Sequence, residues 1–316
     1  MVKKEPKPFL TYEEQIRNLL HRKNLYIKNS IYATEKLHDI CYYSLIDGYK
    51  SLFYNPMSRT YETGTCFEDI VALYDFDENL RSLIFQYICH IEQKLRSIIS
   101  YSFCEIHTAN QTAYLTPTNY NYTLKNQKDI NKLIKFLSFE ANINTEHTYV
   151  VYQRATYSNV PLWVVMNTLT FGQTSKMFSL FTSSMQSKIT INYNYVTEKE
   201  LVQYLKVLTH FRNVCAHNER LYSFQSRYEI PDTKLHLKMK ISKKGNHYIV
   251  GKHDLFAVII SFRYLLNDKD FLVFKKRFNH LIKKFEKNTS SYKKEKLLRA
   301  MGFPSNWTAI SKYNLS

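Results

Sequence analysis

The chain is expected to fold as an all-α protein, and three observations carry that expectation. Glycine and proline, which punctuate β-rich and disordered chains, number only 6 and 7 in 316 residues. Leu, Ile, Lys, Glu and Gln recur throughout. Apolar residues also return at a helical period in several long stretches, the longest being Leu80, Ile84, Tyr87, Ile88, Ile91, Leu95, Ile98 and Ile99, about seven turns.

The elements follow in order. Residues 1–8 read as a basic arm broken by proline, and Thr11 with Glu14 three residues on is a capping box opening a helix through Leu20. A second helix runs from Ser30 to Ile40, with Gly48 supplying a turn after it. Asp77 is placed as the N-cap of the long helix. The polar stretch "TANQTAYLTPTNYNYTLKNQKD" reads as a surface connection before a helix at Ile130 to Asn142. Pro161 suits the first turn of another helix, and Gly172 marks a break before a short one. Alternation of Leu235, Leu237, Met239 and Ile241, then a turn at "KKGN", predicts a β-hairpin within 228–250. Helices resume at "DLFAVIISFRYLL" and "DFLVFKKRFNHLIKKFEK".

Composition narrows the function. Lys and Arg exceed Asp and Glu by 44 to 27, a formal charge of +17, which favours a polyanionic partner, nucleic acid or an anionic membrane surface. The joint abundance of Lys, Asn, Ile and Tyr is also what an AT-rich genome produces, so charge alone does not decide. The last long helix carries Lys275, Lys276 and Lys283 around an apolar stripe of Phe271, Phe274, Phe278, Leu281, Ile282 and Phe285. That pattern fits a solvated bundle helix at least as well as a nucleic-acid or membrane face. Five scattered Cys without a C-x-x-C pair argue against a disulfide framework or zinc ribbon and for a reducing cytosol. The N-terminus has no apolar leader region, and runs such as "LFAVIISF" fall far short of a membrane span.

The densest polar chemistry is "FRNVCAHNERLY", residues 211–222. Leu201, Tyr204, Leu208, Phe211 and Cys215 form the buried stripe of an amphipathic helix, which makes Cys215 a core thiol. His210, Asn213, His217 and Arg220 fall on a polar stripe. His210 and His217 lie two turns apart, too far for both to reach one metal ion, and no carboxylate sits between them; no metal or other cofactor is expected. Cys215 and His217 point to different sides, which excludes a Cys-His nucleophile pair. Arg212, Asn213 and His217 remain. A ribonuclease that uses the neighbouring 2′-hydroxyl as its nucleophile needs a group to take that proton and a cation to balance charge on the phosphorane-like transition state. His titrates near neutrality and Arg offers a fork to phosphate oxygens. Positions i and i+5 are about 140° apart on a helix, so Arg212 must curl round or the helix must distort before both reach one phosphate. One His cannot easily serve as both base and acid, which favours a site completed by a second copy in a homodimer.

An Arg-x-x-x-x-His pattern with a polar residue after the Arg resembles the motif of the HEPN superfamily of metal-independent ribonucleases. The segments "KPFLTYEEQI", "CYYSLIDGYKSLF", "FEDIVALYDFDENLRSLI", "IEQKLRSII", "PLWVVMNTLTFGQTSKMF", "FRNVCAHNERLY" and "MGFPSNWTAI" resemble, in order, those of the Abi-like (AbiD/AbiF) family of bacterial abortive-infection proteins, the "LIDGYKSLF" form being closer to the AbiF branch. The resemblance implies that Arg212, Asn213 and His217 form the catalytic motif, with Asn218 and Arg220 adjoining it. It also implies phage defence by growth arrest in the bacterial cytoplasm and association with a cognate structured non-coding RNA. His210 is given no catalytic role. Glu92 reads either as an intrahelical partner of Arg96 or as a group reaching across to orient Arg212. Tyr222 and Trp163 are stacking candidates, though rings near helix ends more often belong to the core.

One Abi-like domain over 1–316 is expected: an N-terminal helical extension over about 9–65, a HEPN-type helical core over about 66–225 plus 254–290, and the hairpin insertion at 228–250. Its core should join the long helix, the helices after Pro161, the Arg212 helix and the helix at Leu255. The expected function is RNA binding and metal-independent cleavage. The rival is a non-catalytic protein whose motif grips a structured RNA. A membrane-perturbing toxin acting through residues 270–287 is a third reading.

Overall fold

The computed structural model describes residues 8–315. The basic arm expected over residues 1–8 falls almost wholly outside them. Thr11 opens α1 (Tyr12–His21) with its capping box intact: the Glu14 N–H donates to Thr11 Oγ1 at 3.3 Å, and the Glu14 carboxylate accepts from the Thr11 N–H at 2.8 Å. Helix α2 (Ser30–Ile40) is capped by Asn29 and stops at Cys41, where φ turns to +64°. Gly48 does not supply a turn. It sits at a helical φ of −68° closing a π-helical stretch, Tyr43–Asp47, and the reversal comes later, between β1 (Tyr54–Asn55) and β2 (Thr60–Tyr61).

Helix α3 (Phe67–His107) is 41 residues long, about 60 Å at the α-helical rise. It begins eleven residues before the expected start. Cys66, not Asp77, is its N-cap, with the Cys66 N–H donating to Asp69 Oδ2 at 2.8 Å. Asp77 resembles a cap in sequence because it is a lone carboxylate ahead of an apolar run; in the fold it is fully buried in mid-helix and serves another segment.

The stretch expected as a polar surface connection is only partly one. It contains α4 (Gln111–Leu115) and buries two tyrosines, Tyr120 donating to the Tyr114 carbonyl and Tyr114 to the Val160 carbonyl, both at 2.8 Å. Next come α5 (Gln127–Asn142), α6 (Thr148–Tyr157) and α7 (Leu162–Val165), the last with Pro161 as its N-cap. Gly172 breaks nothing: α8 (Phe171–Leu180) starts before it on a Thr170 capping box. A Cβ on Gly172 would meet Thr209 Cγ2 at 3.3 Å, so the missing side chain serves the close approach of α8 to the motif helix. Helix α9 (Ser183–Thr190) leads to α10 (Glu198–Ala216), which carries the motif.

The expected hairpin is smaller than its alternation suggests. Leu235 and Leu237 lie in a short helix, α11 (Lys234–Lys238), and only β3 (Lys243–Lys244) and β4 (His247–Tyr248) pair around Gly245. His236, buried completely, explains the substitution of helix for strand. Its Nδ1 accepts from the Thr233 N–H at 3.1 Å, capping that helix, and its Nε2 donates to the Gly251 carbonyl at 2.9 Å. Helices α12 (Leu255–Leu265), α13 (Asp268–Asn288) and α14 (Ser291–Ala300) follow, with a 3₁₀-helical stretch at Trp307–Lys312 after them.

The protein is predominantly α-helical, as expected. Helix α3 is its axis: α13 and α10 lie along it and α7, α8 and α9 pack beside them, while α10 also meets α12. One continuous apolar cluster joins residues from Ile16 to Leu315. No helix among the described residues is long and apolar enough to cross a membrane.

Candidate functional site

The site is built at the C-terminal end of α10. Arg212 and Asn213 stand in its last turn and His217 is its C-cap, with φ −90° and ψ 7°. Asn218 then takes a left-handed φ of +56°. Its N–H donates to the Cys215 carbonyl at 3.3 Å, and the Glu219 N–H reaches back to the Val214 carbonyl at 3.0 Å. This pair of bonds is a Schellman motif, which needs a left-handed residue at the position Asn218 holds. Asn is one of the few non-glycine residues that visits that conformation readily.

The chain that leaves this cap is tied down by Asp77. Its carboxylate accepts the Leu221 N–H at 3.0 Å, the Tyr222 N–H at 2.7 Å, the Tyr49 hydroxyl at 2.9 Å and Arg81 Nη1 at 2.7 Å. Burial, the largest influence on Asp77, raises its pKa against the pull of these donors. Burial also opposes the Arg81 charge, but Asp77 and the Tyr49 hydroxyl prevail and raise the pKa of Arg81. The Tyr222 hydroxyl bonds Ser51 Oγ at 2.6 Å, and Arg220 donates to the Gly48 carbonyl. Tyr222 is fully buried and therefore unavailable for stacking on a base; Tyr222 and Arg220 hold the motif loop to the segment around residues 48–51.

Asn213 and His217 are exposed, whereas Arg212 is half-buried. Its guanidinium lies over the Phe85 ring, 5.5 Å from the centroid, and its Nε is a buried donor without a partner among the described residues. Phe85, Cys89 and Glu92 recur at helical spacing along α3, and all three lie near Arg212. Burial raises the Glu92 pKa, opposed first by Arg96 and then by Arg212. The direct partner of Glu92 is Arg96, which also donates to the Leu169 carbonyl. Among the described residues no hydrogen bond joins Glu92 to Arg212, or Arg212 to His217. The two motif side chains thus occupy different surroundings within one copy of the chain, one against α3 and one in solvent.

The other candidates separate. Cys215 packs on the core, and burial first, then Asp77, pushes its thiol up to about 12. His210 turns to Ser226 Oγ at 3.2 Å and to the Tyr228 ring. Trp163, half-exposed, lines a groove of 730 Å³ together with Arg96, Tyr101 and Asn167. Lys276 and Lys283 are exposed on α13, but Lys275 is not an open cation: it donates to Ser311 Oγ at 2.6 Å and to the Thr308 carbonyl. Asp77, Arg81, Tyr49 and Phe85 escape a reading of the sequence as functional supports. The one visible signal is a Asp77-x-x-x-Arg81 pair on the apolar face of α3, where charge at core spacing demands a buried partner.

The fold is thus a helical bundle whose motif helix ends at a left-handed residue and is clamped from the central helix by a buried carboxylate. The chain belongs to the Abi-like protein family, whose sequence pattern matches residues 35–223. That membership points to abortive-infection phage defence. Comparison with curated proteins and with solved structures returned no match.

Proposed function

We propose that this protein binds RNA and cleaves it by metal-independent transesterification through Arg212, Asn213 and His217. The observation that carries the reading is the presentation of the motif: exposed His217 and Asn213 at a rigidly tied helix end, with Arg212 one residue earlier. A neutral imidazole takes the proton of a 2′-hydroxyl, whose oxygen attacks the adjacent phosphorus. The P–O5′ bond breaks and leaves a 2′,3′-cyclic phosphate on one fragment and a 5′-hydroxyl on the other. Arg212 balances charge on the phosphorane-like transition state, and Asn213 positions either the base or the phosphate. The departing 5′-oxygen needs a proton that the same His cannot supply at that moment, so a homodimer contributes the second His217. A cognate structured non-coding RNA, attracted by the +17 charge, is the proposed restraint on the protein in the bacterial cytoplasm.

Expression of Arg212→Ala and His217→Ala variants tests this reading. Loss of growth arrest with RNA binding retained supports cleavage. Growth arrest that persists in both variants contradicts it, and joint loss of arrest and RNA binding favours a non-catalytic grip on RNA instead. Co-expressing the two inactive variants restores partial activity if the site is shared between copies.

A further inference from the structure

The groove that Trp163 lines continues the motif site along α3. Arg212 lies over Phe85 and near Cys89 and Glu92, and Arg96, one turn further on, both bonds Glu92 and lines the groove. From Glu92 to Tyr101, which also lines it, α3 runs about 14 Å at the helical rise. The groove volume of 730 Å³ falls inside the roughly 300–1,000 Å³ range of ligand sites.

The side chains that line the groove are open to an incoming group. Of the two tryptophans in the chain, Trp307 is 5% exposed and packs edge-on against Phe278 and Phe303, whereas Trp163 is 50% exposed. Trp163 thus offers a flat π-face to whatever enters. Tyr101, 70% exposed, adds a second ring, and the amides of Gln93 and Asn167 are exposed beside them. Asn167 Nδ2 donates to the Trp163 and Val164 carbonyls at 3.1 and 3.3 Å, which leaves Oδ1 as an outward acceptor. Gln93 makes no hydrogen bond among the described residues. Charge decides which part of a ligand fits: Arg96 is already shared by Glu92 and the Leu169 carbonyl, and Glu105 is paired with Lys188 at 2.5 Å. The groove presents rings and amides without an uncommitted cation, which suits a nucleobase and not a phosphate. The phosphate is left to Arg212, beyond Glu92.

We infer that this groove seats one unpaired base of the RNA strand whose phosphate lies at Arg212, with the base stacked on Trp163 and its edge bonded by the Gln93 and Asn167 amides. The inference rests on the RNA reading of Arg212 and His217 given above. A purine is preferred, because it covers more of the indole than a pyrimidine does. Selection of single strands follows, since a base inside a duplex has both faces covered by its neighbours and none to give to Trp163.

The test uses the full chain freed of RNA by high salt, in the His217→Ala background so that binding is read without turnover. End-labelled oligoadenylate, oligouridylate and a fully paired RNA duplex of the same length are titrated by fluorescence anisotropy, and tryptophan emission is followed in parallel. Oligoadenylate should bind more tightly than oligouridylate and quench the emission, which the duplex should leave unchanged. Trp163→Ala should weaken oligoadenylate binding by about fivefold or more, the worth of one stacked base, and remove the preference for it. Trp163→Phe should retain most of the affinity, because a phenyl ring still stacks. Both variants should keep the parent melting temperature, since the side chain they alter is half in solvent. The inference is overturned if neither single strand binds, if Trp163→Ala binds oligoadenylate as tightly as its parent, or if it changes the oligomeric state with RNA affinity unchanged, which would mark a face between copies. Failure of the cleavage reading shows separately, as an absence of cyclic-phosphate ends from the wild type, and the binding comparison still decides the groove.

Discussion

At the scale of single residues, the "FRNVCAHNERLY" segment divides into residues proposed for the chemistry and residues that scaffold them. His217 and Asn213 face solvent; Asn218, Arg220 and Tyr222 shape the turn beneath them. Asn218 is the sharpest case, since its left-handed φ explains its presence without any contact to RNA. Asn218→Gly should therefore leave both thermal stability and RNA cleavage near wild-type values, because glycine adopts that conformation freely. Asn218→Leu should cost about 1–2 kcal/mol, the strain of a left-handed side chain, measured by chemical denaturation. Loss of cleavage in a fully stable Asn218→Gly protein would instead give the Asn218 amide a direct part in the chemistry.

At the scale of elements, helices α3 and α10 make the site together. Their periodicity is legible in the sequence because each buries one continuous apolar stripe. The start of α3 is not legible there. An Asp ahead of an apolar run has the same appearance whether it caps its own helix or reaches the N–H groups of residues 144 and 145 positions away. Likewise Leu235 to Ile241 alternate as a strand would, and only the tertiary position of His236 makes a helix of their first half. The motif residues themselves are legible as residue types at a spacing. The placement of Arg212 against Phe85 is not, because it depends on how two helices cross. Asp77→Ala should destabilise the protein by about 3–5 kcal/mol, since Arg81 is left buried without its carboxylate and two backbone N–H groups lose their acceptor. An effect below about 1 kcal/mol in urea unfolding would show that the clamp contributes little.

At the scale of the whole molecule, the buried titratable groups set the response to acid. Burial lowers the His236 pKa to about 4, below the 6.5 of an unfolded His. The unfolded chain therefore takes up a proton first, and stability contributed by neutral His236 is complete above about pH 6.5 and lost as the pH falls toward 4. Asp254 acts in the opposite direction. Burial raises its pKa to about 6, so the folded state holds the extra proton and gains stability over the interval from about 6 down to the ordinary carboxylate range. Comparing His236→Gln with wild type cancels the Asp254 share. The variant should lose less stability than wild type between pH 6.5 and 4, by an amount on the order of 3 kcal/mol in urea midpoints converted with a common slope. Parallel pH profiles for the two proteins would contradict the burial of a neutral imidazole at this position.

The most direct test of the central claim is the chemistry of the RNA ends. Purified protein is incubated with RNA in excess EDTA, and the products are probed for 2′,3′-cyclic phosphates. Wild type should generate new cyclic-phosphate ends, and His217→Ala should reduce their rate by about 10²-fold or more, the usual worth of a general base. Equal yields from wild type, His217→Ala and Arg212→Ala, or no cyclic-phosphate ends from wild type at all, would contradict it.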